Sequence, residues 1–379
     1  GPLVVSTRVQ TPGNNYLIGA LGRGGKGVFT LNVTNPLGFT ASGVMWDHSP
    51  VNHDLMGNVM GRPIIARLNN GNTAVIVANG PNSTGDKAVL YVLNITTGAV
   101  LAEIDTGIGN ATTPNGLMTP RGWDSDGNGT LDFVYAGDLL GNLWRFDLRS
   151  GTASNWQNAA NRMVLLTARD AANKPQPITG SPTLAIDPQS YQTWVFFGTG
   201  RFLNQSDLTN TNGSKNTDVQ TWYGLIDGGA TITGRTSSGS GQLQQRSMVA
   251  TASIDGTPVR AFEAAGVLDT STKKGWYVDL VTPPSATAEG ERMIGDSAII
   301  GTTLLAASII PNADACEFGG RGYINAINAF TGTSVAPPFF DVDGDGQFND
   351  DTVTSGGVAI PVGSVDLGIA MPTTPTVIE

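Results

Sequence analysis

The chain has 379 residues, 50 of them glycine, a formal net charge of −10 and only 14% charged side chains. An acidic chain with no Lys/Arg cluster lacks the basic face of a nucleic-acid binder. No apolar run reaches the roughly 18–20 residues of a membrane-spanning helix, and a single cysteine, Cys316, excludes an internal disulfide and a Cys-x-x-Cys zinc site.

High glycine and low charge predict short strands joined by many turns. Taken in chain order, Gly1-Pro2 reads as the scar of a cleaved tag, with the natural N-terminal region missing and no signal peptide present. Gly22–Gly27 has the glycine content of a phosphate-cradling loop. Such a loop must open a helix, and the alternating residues that follow predict a strand, so the segment is expected to be a turn. Six segments then share one pattern of a small residue, alternating apolar or aromatic residues, and a turn. They are Gly27–Val33, Ala88–Ile95, Gly141–Leu148, Thr221–Asp227, Gly275–Leu280 and Gly322–Ala329, with starts 47 to 80 residues apart. A second apolar run precedes several of them, as in Ala74–Asn79, Leu131–Ala136, Trp194–Gly198 and Leu304–Ile310. Period-two alternation and β-branched residues predict strands, and no segment keeps a helical period over three turns. The expected fold is all-β: one modified β-propeller domain over residues 1–379, with seven blades in a range of six to eight. Asn204–Lys215 and Thr231–Gly241 read as surface insertions.

Residues 124–132, Asp-Ser-Asp-Gly-Asn-Gly-Thr-Leu-Asp, carry the chemistry. Asp124, Asp126 and Asn128 fall at positions 1, 3 and 5, Thr130 offers its carbonyl at position 7, and Asp132 closes the shell at position 9. That is calcium-loop spacing, and Gly127 and Gly129 permit the sharp turn. Position 12, where a helix–loop–helix site carries Glu, is Tyr135 inside an expected strand, so the ion would sit on a sheet. A second acidic loop places Asp341, Asp343 and Asp345 at positions 1, 3 and 5, Gln347 at position 7 and Asn349 at position 9, with Asp350 and Asp351 adjoining. It is the weaker calcium candidate, set against a plain solvated acidic turn. His48 and His53, the only histidines, lie with Asp47 and Asp54 in what reads as an exposed loop rather than a metal site. Trp46, Trp123, Trp144, Trp194, Trp222 and Trp276 read as packing residues. No Gly-x-Ser-x-Gly elbow is present, and no catalytic residue is assigned.

The segment Asp124–Leu148, a calcium loop running into Tyr135-Ala-Gly-Asp-Leu-Leu-Gly-Asn-Leu-Trp-Arg-Phe-Asp147, resembles the C-terminal domain of the PilC/PilY family of type IV pilus biogenesis factors and tip-associated adhesins. The resemblance continues in order through Leu21–Gly27, Gly61–Pro63, Leu68–Gly71, Val89–Leu93, Gln176–Thr179, Phe197–Arg201 and Phe318–Tyr323. It implies a modified β-propeller at the pilus tip or bacterial surface, outer-membrane-associated or secreted. It also implies calcium-dependent control of pilus extension and retraction, twitching motility and surface adhesion. The ligand roles it carries fall on Asp124, Asp126, Asn128, Thr130 and Asp132. Implied partners are minor pilins or pilus-tip components, with host or abiotic surfaces as receptors. Cys316 falls where the family often has a cysteine near Gly-Gly. Two rivals stand beside this expectation. One is a scaffold in which calcium is only a structural staple, and the other a quinone-dependent dehydrogenase on a similar propeller.

Overall fold

The structure is a computed structural model that describes residues 2–235, 241–312, 319–369 and 372–375. The chain divides into two compact units, Gly1–Thr167 and Ala168–Glu379.

The first unit holds three four-stranded antiparallel sheets, each a meander of sequence neighbours. The first comprises β1 (Leu3–Val5), β2 (Tyr16–Ala20), β3 (Val28–Asn32) and β4 (Val44–His48), and the second β5 (Ile64–Arg67), β6 (Thr73–Ala78), β7 (Val89–Asn94) and β8 (Val100–Asp105). The third comprises β9 (Leu117–Trp123), β10 (Phe133–Asp138), β11 (Asn142–Asp147) and β12 (Arg162–Thr167). The middle sheet is buried on both faces. Val75, Val77, Tyr91 and Leu93 join Ile18 and Val28 of the first sheet in one core. Ala74, Ile76, Leu90 and Val92 join Val134, Trp144, Phe146 and Trp156 in another. This explains why β6 and β7 read as unbroken apolar runs, since a strand covered on both sides needs no polar alternation.

The second unit carries β13 (Thr183–Ile186), β14 (Thr193–Gly198), β15 (Thr221–Ile226), β16 (Gln244–Arg246), β17 (Met248–Ile254), β18 (Thr257–Phe262), β19 (Gly275–Asp279), β20 (Ser297–Ile300), β21 (Thr303–Pro311), β22 (Gly320–Asn328), β23 (Thr352–Ser355), β24 (Val358–Pro361) and β25 (Ser364–Val365). These form a five-stranded sheet ordered β13-β14-β15-β19-β16, a six-stranded sheet ordered β17-β18-β25-β22-β21-β20, and the hairpin β23-β24. β16 runs parallel to β19. β25 is inserted between β18 and β22, antiparallel to both. The core is aromatic, with Trp194, Phe196, Trp222, Phe262 and Trp276 packed together.

All six repeat segments coincide with strands, β3, β7, β11, β15, β19 and β22. Two of their turns share a device that docks a neighbouring tryptophan. Gly98 adopts φ +70°, and a Cβ there would lie 2.6 Å from Cγ of Trp46, whose indole N–H donates to the Ile95 carbonyl at 2.8 Å. In the second unit Gly332 adopts φ +69° at the same 2.6 Å from Trp276, which donates to the Ala329 carbonyl at 2.7 Å. Only glycine leaves room for the ring and tolerates that backbone.

Several expectations change. Gly22–Gly24 is a short 3-10 turn leading into β3, as anticipated for a turn. The histidine segment is an exposed loop only in part: Val51, Asn52 and Asp54 are exposed and His53 is half-buried between them, whereas His48 ends β4 at 6% exposure, its Nε2 lies 2.5 Å from the Gly98 carbonyl, and its ring lies tilted against that of His53 with centroids 4.0 Å apart. Burial, the main cause, lowers the His48 pKa. Trp156, passed over in the sequence, is fully buried. Cys316 and Phe318, and residues 236–240 of the second expected insertion, lie outside the described residues.

Candidate metal centre

The first acidic loop is the whole connection between β9 and β10. Carboxylate oxygens of Asp124, Asp126 and Asp132 all lie within 4.8 Å of one another. Asp124 acts as the hub, its two oxygens accepting the Gly127 and Gly129 N–H groups at 2.8 Å each. Asp126 Oδ1 accepts the Asn128 N–H at 3.0 Å, and Asn128 Oδ1 accepts the Thr130 N–H at 2.8 Å. Gly127 and Gly129 adopt φ +74° and +86°, a conformation that side-chain-bearing residues avoid. Asp132 is 3% exposed. Its Oδ2 accepts the Ser125 N–H and hydroxyl at 2.9 and 2.6 Å. Its backbone belongs to the sheet, with N–H to the Trp123 carbonyl at 3.0 Å and carbonyl from the Leu148 N–H at 2.8 Å.

Electrostatically the loop is tuned for an anionic state. Burial pushes the Asp124 carboxyl up, but the N–H groups of Gly129, Gly127 and Asn128 outweigh it and hold the pKa below the usual value. Nearby positive charge comes from Arg149, which pairs with Asp147 at 2.6 Å and also feels the field of Asp132. The second sheet enters the site as well. Asn69, on the β5–β6 turn, lies 2.9 Å from the Thr130 hydroxyl, which it shares with Asn128 Oδ1 at 2.5 Å, and donates to Asp132 Oδ1 at 3.3 Å.

The second loop repeats the four backbone-to-carboxylate or carboxamide bonds that shape the first loop's turn. Asp341 accepts the Gly344 and Gly346 N–H groups at 2.8 and 3.1 Å. Asp343 Oδ1 accepts the Asp345 N–H at 3.1 Å, and Asp345 Oδ1 the Gln347 N–H at 2.7 Å. Gly344 and Gly346 adopt φ +77° and +83°. Carboxylates of Asp341, Asp343 and Asp345 lie within 4.8 Å of one another. The position-2 N–H again ties back to a buried aspartate, but here Val342 donates to Asp351 Oδ2 at 2.7 Å. Asp351 is 2% exposed, and its carbonyl accepts the Val362 N–H at 3.0 Å, as Asp132 accepts from Leu148. Asn349 is exposed. The second loop thus follows the first with two extra residues before its buried aspartate, and like the first it feeds a hairpin, β23–β24; unlike Asp132, Asp351 is not among the carboxylates that cluster within 4.8 Å. The Asp345 N–H pulls the Asp343 carboxyl down, yet slight desolvation and the charges of Asp345, Asp351 and Asp350 push its pKa up overall.

Sequence spacing located four of the five loop-one candidates by their side chains and Thr130 by position. It passed over Ser125 and Asn69, and took Asp351 only as adjoining Asn349. The signal for Asp351 was present: an aspartate directly ahead of a period-two run, as Asp132 is ahead of Phe133.

The comparisons with known proteins bear on this geometry. A family model for the PilY1 beta-propeller domain matches residues 4–254. The chain belongs to the PilY1 family. A type IV pilus biogenesis factor PilY1 homolog of Xylella fastidiosa is 39% identical over 350 residues, spanning 91% of this chain and 26% of the relative. Type IV pilus biogenesis factor PilY1 of Pseudomonas aeruginosa (PAO1) is 32% identical over 370 residues, 90% of this chain and 31% of the relative. The chain thus spans about a quarter to a third of these PilY1 relatives. The crystal structure of the P. aeruginosa PilY1 C-terminal domain superposes with a TM-score of 0.76 at 27% identity, covering 97% of this chain and 78% of that one. The nearly all-β architecture is that of the PilY1 β-propeller domain. No helix among the described residues is long and apolar enough to cross a membrane.

Proposed function

We propose that this PilY1-family propeller binds calcium in the loop Asp124–Asp132 and serves type IV pilus biogenesis from the bacterial surface or pilus tip. The observation that carries the reading is the cluster of three carboxylates within 4.8 Å, one of them buried at the root of a strand. Such a cluster repels itself unless a cation neutralises it. An all-oxygen set of carboxylates, an amide and a backbone carbonyl suits calcium, at the 10⁻⁴–10⁻³ M (order of magnitude) typical of extracellular modules. Asp124, Asp126, Asn128, Thr130 and Asp132 would hold the ion, which supplies positive charge and no redox chemistry. The partners proposed are minor pilins or other tip components, and the expected outputs are control of extension against retraction, twitching motility and adhesion. The relatives are named as biogenesis factors, which supports a non-enzymatic role.

We extend the proposal to the second loop, with Asp341, Asp343, Asp345 and the carbonyl of Gln347 as ligands and Asp351 in place of Asn349 as the closing group. Isothermal titration calorimetry tests both. The unchanged chain is expected to take up two calcium ions and Asp132→Ala one. Asp351→Ala is expected to lose the other site, whereas Asn349→Ala keeps it. Uptake unchanged in Asp132→Ala rejects the first site. A structural staple is the second reading, favoured by the ladder bonds of Asp132 itself. In a cell, an Asp132→Ala protein that stays folded but loses twitching supports a switch, and equal loss of fold and of twitching supports the staple.

A further inference from the structure

We infer that Asn69 positions the end of the first loop and couples its occupancy to the β5–β6 turn of the neighbouring sheet, an inference that rests on the calcium reading of that loop. One half-buried carboxamide touches three consecutive loop residues. Its Oδ1 shares the Thr130 hydroxyl with Asn128 Oδ1, at 2.9 and 2.5 Å respectively, and its Nδ2 reaches the Leu131 carbonyl at 3.4 Å and Asp132 Oδ1 at 3.3 Å. Two of those residues are the candidate ligands at positions 7 and 9. The backbone on either side is joined as well, since the Leu131 N–H donates to the Arg67 carbonyl at 2.8 Å and Leu68 bridges Leu131 in parallel.

The early part of the loop is held differently. Among the described residues, Asp124, Asp126 and Asn128 bond only within the loop's own turn. Ordering the last third of the loop therefore depends on a residue about sixty positions upstream, on another sheet. A cation drawn to Asp132 fixes the carboxylate that Asn69 touches, and by reciprocity anything that fixes Asn69 favours the cation. Occupancy is thereby read on the surface of the second sheet, away from the ion.

Hydrogen exchange with and without calcium, alongside calorimetry, tests this on the full chain. In the unchanged protein calcium is expected to slow exchange both in residues 124–132 and at the Leu68–Asn72 turn. In Asn69→Ala, affinity is expected to fall about tenfold, the scale of one or two lost hydrogen bonds, with slowing confined to residues 124–132. Thr130→Val, which leaves the turn's own sequence intact, is expected to uncouple the turn in the same way. Calcium slowing of the turn that persists in both variants at unchanged affinity overturns the inference and leaves the metal site standing. No calcium uptake by the unchanged chain overturns the site and this coupling together.

Discussion

Asp132 carries a carboxylate that closes the loop and a backbone that belongs to the β10 ladder. Removing the side chain leaves the Ser125 N–H and hydroxyl without their acceptor. Asp132→Ala is therefore expected to cost about 1–3 kcal/mol even in chelator, measured by urea unfolding, and to abolish the calcium response of the first unit on top of that. In the second unit Arg260 and Glu291 form a bidentate pair at 2.7 and 2.9 Å, each 1% exposed. Burial pushes the Glu291 pKa up, but Arg260 and the Ser308 hydroxyl outweigh it and bring it below the ordinary glutamate value. A depressed carboxylate contributes stability above its unfolded pKa and loses it as pH falls through the folded one. Acid unfolding is thus expected to steepen below the ordinary glutamate range. Glu291→Gln should flatten that limb and cost about 3–5 kcal/mol at neutral pH, because Arg260 is left buried without its counter-charge. Asp138 shows how much a short motif can conceal. Its buried oxygens accept from Leu140, Asn142, Trp144 and Asn115, so the Asp138–Trp144 run is a turn built around one acceptor.

At the scale of elements, the docking of Trp46 on Gly98 and of Trp276 on Gly332 ties each sheet to the next turn within its unit. Gly332→Ala must strain a left-handed backbone and displace an indole, and is expected to destabilise the second unit by at least the 1–3 kcal/mol (rough range) of such strain. Trp276→Ala, a fully buried aromatic, is expected to cost about 3–5 kcal/mol. Chemical denaturation followed by far-UV circular dichroism checks both. The strands themselves were legible because alternation and β-branching are local signals. β16 and β25 were not. β16 is three residues that run parallel to β19, and β25 is two residues held between β18 and β22. Pairings that short have no periodicity to read, and their partners decide them.

Over the whole chain, each unit contains one acidic loop that roots a β-hairpin. Calcium at 100 times its dissociation constant would stabilise a binding unit by about 2.7 kcal/mol. Limited proteolysis in calcium and in chelator is expected to show both units protected by the ion. Asp132→Ala should lose protection in residues 1–167 only, and Asp351→Ala in residues 168–379 only.

What the sequence determined alone is short-range: the strand pattern, the glycines at the fourth and sixth loop positions, and the acidic spacing from Asp124 to Asp132. These depend on residues within one turn or one strand of each other, so the chain's own geometry dictates them. Only the tertiary structure decided that buried Asp351 ties back to Val342 at the head of the second loop, that Asn69 reaches into the first, and that His48 is buried against the Gly98 turn. Each of those roles is set by a hydrogen bond or packing partner brought close by folding, and a spacing rule counted along the chain carries no information about it.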